Sequence, residues 1–431
     1  MSTVSTTRPE SSNPAAETTA ALAWEGISRD QALRPTGDPA WGELAQLGTQ
    51  LWLDTGDLDA ASALWSAEFS SLTTNNTLVN AEVQKGLFDE LIPRAGRALR
   101  DAVPGLTEDQ LVIETGFVLN CRVALRLVER FDVNVSVELH PAMSADVEQS
   151  LEYARRYHAV CPDRFTIKVP MSPAGHLVVK TLSEEGIPVN YTLGFSARQN
   201  VIAAAFARPT YVNVFMGRLG VFVKDRGLGR AEGVGERATM ATQLALLDGR
   251  RDRDWTTRLI GASMRSGSQL VDLAGLDVYT IPPAAAKEYL AWSRARGAGA
   301  PPLESGLGRT FEVEAEPESV LDCLWDVDAT VLRTADALEA VDSSRWGPDE
   351  LVGFLKDSGL PTLFGNWSDE ASTLIRQDGK IPSWDRWRGE LLDGEVALDD
   401  LFTQAALQSF VADQGKLDGR IRALLKDAGL S

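Results

Sequence analysis

Lys168 stands between Phe165-Thr166-Ile167 and Val169-Pro170 in the stretch CPDRFTIKVPMSPAGHLVVK, Cys161 to Lys180. Lysine is among the residues least often fully buried, and an unpaired charge in an apolar setting is unfavourable. Either its head escapes to water or a neutral amine is wanted. Desolvation favours the uncharged form of an amine and exposes its lone pair, which is how Schiff-base lysines become nucleophiles. Apolar residues on both sides and Pro170, which fixes the backbone, weigh against a side chain that simply snorkels.

Other reactive or polar side chains share its placement. Eight short β-rich runs alternate with helical patterns: QLWLD (Gln50 to Asp54), SSLTTN (Ser70 to Asn75), VNVSVEL (Val133 to Leu139), FTIKVP (Phe165 to Pro170), PVNYTL (Pro188 to Leu193), YVNVFMG (Tyr211 to Gly217), TRLIGAS (Thr257 to Ser263) and DVYTIP (Asp277 to Pro282). Asp54, Asn75, Glu138, Lys168, Thr192, Arg218, Ser263 and Arg265 fall at or just beyond the ends of these runs. Singly, each has a plainer use. Asp54 could begin a turn, Thr73, Thr74 and Asn75 could cap a helix, Glu138 could pair with a surface arginine, and Arg218 and Arg265 could be solvated. Seven of the eight runs carrying such a residue is the stronger signal.

The elements that must position them follow from the intervening segments. His176 to Gly186 has i, i+3, i+4 apolar spacing and ends in glycine; Ser196 to Ala207 opens on a residue suited to N-capping; Gly235 to Gly249 is a third helix. Strand and helix alternating eight times predict an α/β fold, a parallel sheet closed into a (β/α)8 TIM barrel, whose active-site groups collect at the C-terminal ends of the strands. The alternative is an open doubly wound sheet, but no run is followed by GxGxxG.

Residues 1–20 are rich in Ser, Thr, Pro and Ala and are expected to be a disordered tail; 21–310 form the barrel with a helical lead-in to residue 48; 311–431 form an acidic helical C-terminal region. The clearest helices there are Pro348 to Gly359 and Ala397 to Gly429, and Trp325, Trp346, Trp367, Trp384 and Trp387 are expected in its packing. Of the net charge of −19, −14 falls between Phe311 and Ser431, where 25 acidic residues face 11 basic ones. That balance argues against nucleic acid as a partner, so an anionic substrate would need local positive charge. No window approaches the ~20 apolar residues of a membrane span. Three cysteines without CxxC spacing fit a reducing cytoplasm. Three histidines (His140, His158, His176) include no HExxH, so no metal site is expected, and neither GxSxG nor a Walker pattern is present.

LWLDTGD, LTTNNTLVN, VSVELHP, FTIKVPMSPAGHLVVKTLSEEGIPVNYTLGFS, NVFMGRL and GASMR, in that order from about Leu51 to Leu290, resemble the transaldolase family of class I, Schiff-base-forming aldolases. The resemblance implies a (β/α)8 enzyme that needs no metal or organic cofactor and moves a dihydroxyacetone unit between sugar phosphates, as in the pentose phosphate pathway. It makes Lys168 the Schiff-base lysine, Asp54 the base for the C4 hydroxyl, and Glu138 and Thr192 the pair that holds a catalytic water. It assigns Thr73, Asn75, Asn190, Asn213 and Phe215 to substrate binding, the asparagines Asn75 and Asn190 to its hydroxyls, and Arg218, Ser263 and Arg265 to its phosphate. Four positions depart from the family pattern: Asn76 where proline is usual, Asn213 where serine is common, Gly194 for a bulkier residue, and His140 where aspartate is frequent.

Two other readings stand beside transfer. A fructose 6-phosphate aldolase type would release free dihydroxyacetone; its relatives tend to carry tyrosine where this chain has Phe215, so phenylalanine favours transfer. A non-catalytic sugar-phosphate binder would not require Lys168, Asp54 and Glu138 together. The oligomeric state is left open, with a homo-oligomer among the options, as is any lid or contact role for residues 311–431.

Overall fold

The structure is a computed structural model that describes residues 13–430 except 31, 298 and 366. Eight strands, β1 (Gln50–Asp54), β2 (Phe69–Thr73), β3 (Asn134–Glu138), β4 (Phe165–Pro170), β5 (Val189–Thr192), β6 (Tyr211–Phe215), β7 (Arg258–Ala262) and β8 (Val278–Ile281), close in sequence order into a barrel. Every neighbouring pair is parallel, β8 pairing back to β1. The chain is therefore a (β/α)8 TIM barrel with a helical C-terminal region.

Period-two alternation divides the side chains. Val135, Val137, Ile167, Val169, Val189 and Tyr191 are fully or almost fully buried. Burying each aliphatic one contributes roughly 1.5–3 kcal/mol. The opposite set points into the barrel, where Trp52 meets Tyr211 edge to face at 4.7 Å. In β3, β4 and β5, Glu138 lies beside Lys168 and Lys168 beside Asn190, so pairing alone puts a carboxylate, an amine and an amide in one row.

After β2, β4 and β5 the start of the following helix is fixed by a local side-chain cap. Asn75 Oδ1 accepts from Leu78 N at 2.9 Å and opens the helix Asn76–Gln84. Ser172 Oγ accepts from Gly175 N at 2.9 Å to open Pro173–Glu184, and Ser196 Oγ accepts from Gln199 N at 3.1 Å to open Ala197–Phe206. Such caps supply acceptors for helix-end amides that have none within the helix.

Part of the stretch expected to be a disordered tail is helical. Residues 1–12 lie outside the described residues, but Pro14–Trp24 is a helix, with Thr19 buried and Trp24 Nε1 donating to Val160 O at 2.7 Å. The local signal was Asn13-Pro14, an N-cap followed by proline at the first helical position, inside an otherwise polar stretch.

After residue 310 come helices Glu318–Leu321, Ala329–Ala340, Pro348–Asp357, Asp369–Asp378, Trp384–Leu392 and Leu398–Asp427. Leu398, Leu401, Phe402 and Phe410 share one apolar core with the barrel strands. Trp325 and Trp387 are buried, and Trp346, Trp367 and Trp384 pack partly exposed against that core. The last helix has 30 residues, about 45 Å at 1.5 Å per residue. It is fastened along the C-terminal mouth of the barrel. Asp399 takes two bonds from Arg198, at 2.8 and 2.7 Å, and one from Ser196 Oγ at 2.7 Å. Thr403 Oγ1 donates to Leu193 O at 2.9 Å, Thr77 Oγ1 donates to Asp413 Oδ2 at 2.7 Å, and His140 Nε2 lies 3.3 Å from Asp418 Oδ2.

Candidate active site

A cleft of about 540 Å³ opens at this mouth, a size suited to a small metabolite. It is lined by Asp54, Thr73, Asn75, Lys168, Asn190, Asn213, Phe215, Arg218, Ser263 and Arg265. Ten of the twelve residues singled out from the sequence thus meet in one place. Glu138 and Thr192 do not line it; Glu138 is reached through Lys168. A larger hollow of about 780 Å³ lies beyond Arg265 and includes no other of these twelve residues.

Lys168 is 4 % exposed. Its Nζ is 3.8 Å from Glu138 Oε1, 3.4 Å from Thr74 O, and 5.9 Å from the centroid of the Phe410 ring. The amine therefore does not snorkel to water; it is enclosed against one carboxylate, one carbonyl and an aromatic face. Glu138 Oε2 accepts from Asn76 N at 3.1 Å, while its Oε1 makes no hydrogen bond among the described residues. Burial pushes the Glu138 carboxyl above the ordinary glutamate range, with Lys168 pulling the other way.

Asp54, at the end of β1, accepts from Thr73 Oγ1 at 2.8 Å, and Thr73 Oγ1 lies 2.5 Å from Thr280 Oγ1. Desolvation raises its carboxyl as well; Lys168, the Thr73 hydroxyl and Arg265 oppose the rise. Burial thus holds two carboxyls above their ordinary range on the same strand ends that surround one amine. On another side of the cleft Asn213 Nδ2 donates to Asn190 Oδ1 at 3.1 Å, and Asn190 Nδ2 donates to Ser136 Oγ at 3.3 Å. Asn75 spends its carbonyl on the helix cap, which leaves its amide N–H groups at the cleft wall.

Arg218 is 6 % exposed, and its Nη1 has no partner among the described residues. Burial, then the nearby Arg265, push its guanidinium down to about 10. A buried, under-partnered arginine beside a second cation has the chemistry to accept an anion. Gly217 lets the two arginines meet: a Cβ there would fall 2.1 Å from Ser263 O and 2.7 Å from Arg265 Cγ. Ser263 itself holds φ +60°, and Leu193, just past Thr192, holds φ +72°. Left-handed backbone at non-glycine residues is a local strain that tertiary contacts must sustain. At Leu193 the Thr403 bond to its carbonyl is one such contact.

Residues 51–328 match the model of a family described as transaldolase/fructose-6-phosphate aldolase. The chain belongs to that family. Among relatives, a transaldolase of Photorhabdus laumondii is 28 % identical over 276 residues, covering 63 % of this chain and 83 % of its own. A transaldolase of Nostoc punctiforme is 30 % identical over 241 residues, 53 % of this chain and 70 % of its own. One from Prochlorococcus marinus is 28 % identical over 238 residues, with the same two shares.

The four departures from the family pattern have structural settings. Asn76 supplies the N–H that reaches Glu138, a donor proline lacks. His140 faces Asp418 of the last helix. At Gly194 a Cβ would lie 2.4 Å from Asn213 O and 2.9 Å from Asn200 Oδ1, so only glycine lets these segments approach. Asn213 joins the amide chain to Asn190. Among the described residues no group of three or more His, Cys, Asp or Glu is placed to hold a metal ion, and no helix is long and apolar enough to cross a membrane.

Sequence reasoning missed several lining residues. Thr77, Thr280, Lys380, Ile381 and Phe410 also line the cleft. Phe410 lies over two cations at once, its centroid 5.9 Å from Lys168 Nζ and 5.9 Å from Arg218 Cζ. One aromatic in a helix of ordinary apolar pattern carries no mark of this, because its position depends on where the helix docks.

Proposed function

We propose that this chain is a transaldolase that transfers a dihydroxyacetone unit from a ketose phosphate, sedoheptulose 7-phosphate or fructose 6-phosphate, to glyceraldehyde 3-phosphate or erythrose 4-phosphate through a Schiff base on Lys168. The observation that carries this reading is the enclosed amine, 3.8 Å from Glu138 Oε1, in one cleft with Asp54, Arg218 and Arg265.

The Lys168 amine adds to the C2 carbonyl, and the carbinolamine loses water to give an iminium. While nitrogen is uncharged, Glu138 and Asp54 lose the cation that opposes their burial, which favours their protonated forms. Glu138, with Thr192 and a water, gives and takes the protons of dehydration. Iminium formation restores the positive charge and favours ionised Asp54. Asp54 then takes the C4 hydroxyl proton, the C3–C4 electron pair moves into the iminium, and an aldose phosphate leaves an enamine behind. The acceptor aldehyde runs these steps in reverse, and water hydrolyses the new iminium. Asn75, Asn190 and Asn213 hold hydroxyls of the retained unit, and Arg218, Arg265 and Ser263 hold the phosphate, with two guanidinium forks suited to its oxygens.

Phe215 favours transfer over release, since its ring has no hydroxyl with which to protonate the enamine carbon. The test is product analysis with fructose 6-phosphate and erythrose 4-phosphate. Sedoheptulose 7-phosphate and glyceraldehyde 3-phosphate are expected; free dihydroxyacetone as the main product would establish the aldolase reading instead, and no turnover with any ketose donor would refute both.

A further inference from the structure

The two arginines already described leave one side of the anion site to the C-terminal region, and that side also carries a cation. Lys380 lines the same cleft as Arg218, Ser263 and Arg265. It sits in the turn after the helix Asp369–Asp378, directly behind Gly379, whose φ of +79° bends the chain there. Arg226, at the end of the helix Met216–Asp225 that carries Arg218, donates to Ile381 O and Pro382 O, both at 2.9 Å. Ser383 N donates to Asp378 Oδ2 at 3.0 Å and closes the turn. The turn bearing Lys380 is thus bonded to the element bearing Arg218.

Its present partner does not account for it. Lys380 Nζ is 3.4 Å from Asp413 Oδ2, but that oxygen already accepts from Thr77 at 2.7 Å, and Asp413 Oδ1 accepts from Lys416 at 2.9 Å. Lys380 is the most distant of three donors to one carboxylate, and its side chain is 56 % exposed. A single long ion pair of that kind contributes little to stability. It does hold the ammonium at the cleft wall with N–H groups to spare.

We propose that Lys380 is a substrate-specificity residue, the third cation of the phosphate subsite, supplied by the C-terminal region and oriented by Asp413. The inference rests on reading the cleft as a sugar-phosphate site. Lys380 reaches the phosphate from the roof while Arg218 and Arg265 hold it from the barrel, and Phe410 excludes water between them. The preference for phosphorylated over free sugars is therefore shared between the barrel and the helices that cover it.

The test measures binding of inorganic phosphate and fructose 6-phosphate by calorimetry, and KM for fructose 6-phosphate against fructose, in the full chain and in Lys380→Met and Lys380→Arg. Loss of a charged donor to phosphate should weaken Lys380→Met about tenfold toward phosphate and fructose 6-phosphate. Use of fructose and kcat should stay unchanged, and Lys380→Arg should retain most of the affinity. Equal phosphate affinity in wild type and Lys380→Met, or equal losses with fructose and fructose 6-phosphate, would overturn the role of Lys380 while leaving the cleft reading intact. Failure of the wild-type protein to bind either anion would overturn the cleft reading, and the inference with it.

Discussion

On the floor of the cleft, Asp54 ends β1 while Lys168 and Asn190 lie within β4 and β5, where barrel pairing sets their heights and alternation turns them inward. On the roof, Lys380 and Phe410, 30 positions apart, come from a turn and a helix placed by docking: Asp399 on Arg198, Thr403 on Leu193, Arg226 on the carbonyls of Ile381 and Pro382. The floor holds two carboxyls raised by burial around an amine, the groups to which the proposed function gives the chemistry. The roof brings shielding and charge. One is held by a sheet that closes on itself, the other by a few buried polar contacts and an apolar seam. The roof should therefore tolerate alteration without dismantling the barrel, and the two should fail differently.

The largest effect belongs to the floor. Lys168→Ala should lower turnover by roughly 10⁴-fold or more, in a protein that still folds by circular dichroism; substantial residual transfer would refute the covalent role. Asp54→Asn should follow at about 10²–10⁴-fold, in the range of a lost general base, and single-turnover kinetics should place the loss at C3–C4 cleavage rather than at trapping of the ketose. At the roof, Asp399→Ala leaves Arg198 without its carboxylate and should cost about 3–5 kcal/mol by denaturant titration. The helix Leu398–Asp427 should then exchange its amides before the strands do. Simultaneous loss of both would mean that roof and floor fold as one unit.

Two smaller effects sharpen the contrast. Asn76 occupies the first position of its helix, where proline is well tolerated, so Asn76→Pro should fold normally while removing the donor to Glu138 Oε2. Losing a bond to the ionised form raises a carboxyl further, so the limb of the pH–rate profile that reports Glu138 should move to higher pH. An unmoved profile would remove Glu138 from the rate-determining proton transfers. Asp400, beneath the roof, accepts from Gly365 N at 2.6 Å and Trp367 Nε1 at 2.8 Å, yet burial lifts its carboxyl to about 7. Between about pH 4 and pH 7 the folded chain then holds a proton there that the unfolded chain has released, so this group makes stability fall as pH rises through that window and adds no slope above it. Asp400→Asn should flatten that part of the stability curve.

The sequence was most informative where the backbone period itself places a side chain. FTIKVP and VSVEL each announce a strand whose polar residue must face either water or the barrel interior, and parallel pairing then puts Glu138 beside Lys168. Asn75 was legible in both of its uses, as helix cap and as cleft wall. Lys380 and Phe410 were not, because a lysine after a helix-ending glycine and a phenylalanine in an amphipathic helix are the commonest fillings of such positions. Only docking distinguishes them. The helix Pro14–Trp24 was hidden differently: its Asn-Pro start is a proper cap, but the Ser, Thr and Ala around it have the composition of a disordered tail.

The central claim, that Lys168 becomes covalently bound to the ketose, is most directly tested by incubating the full chain with fructose 6-phosphate, reducing with borohydride, and mapping peptides by mass spectrometry. A stable adduct confined to the peptide containing Lys168, and lost in Lys168→Ala, is the predicted result. No adduct, or one of equal yield on another lysine, would contradict it.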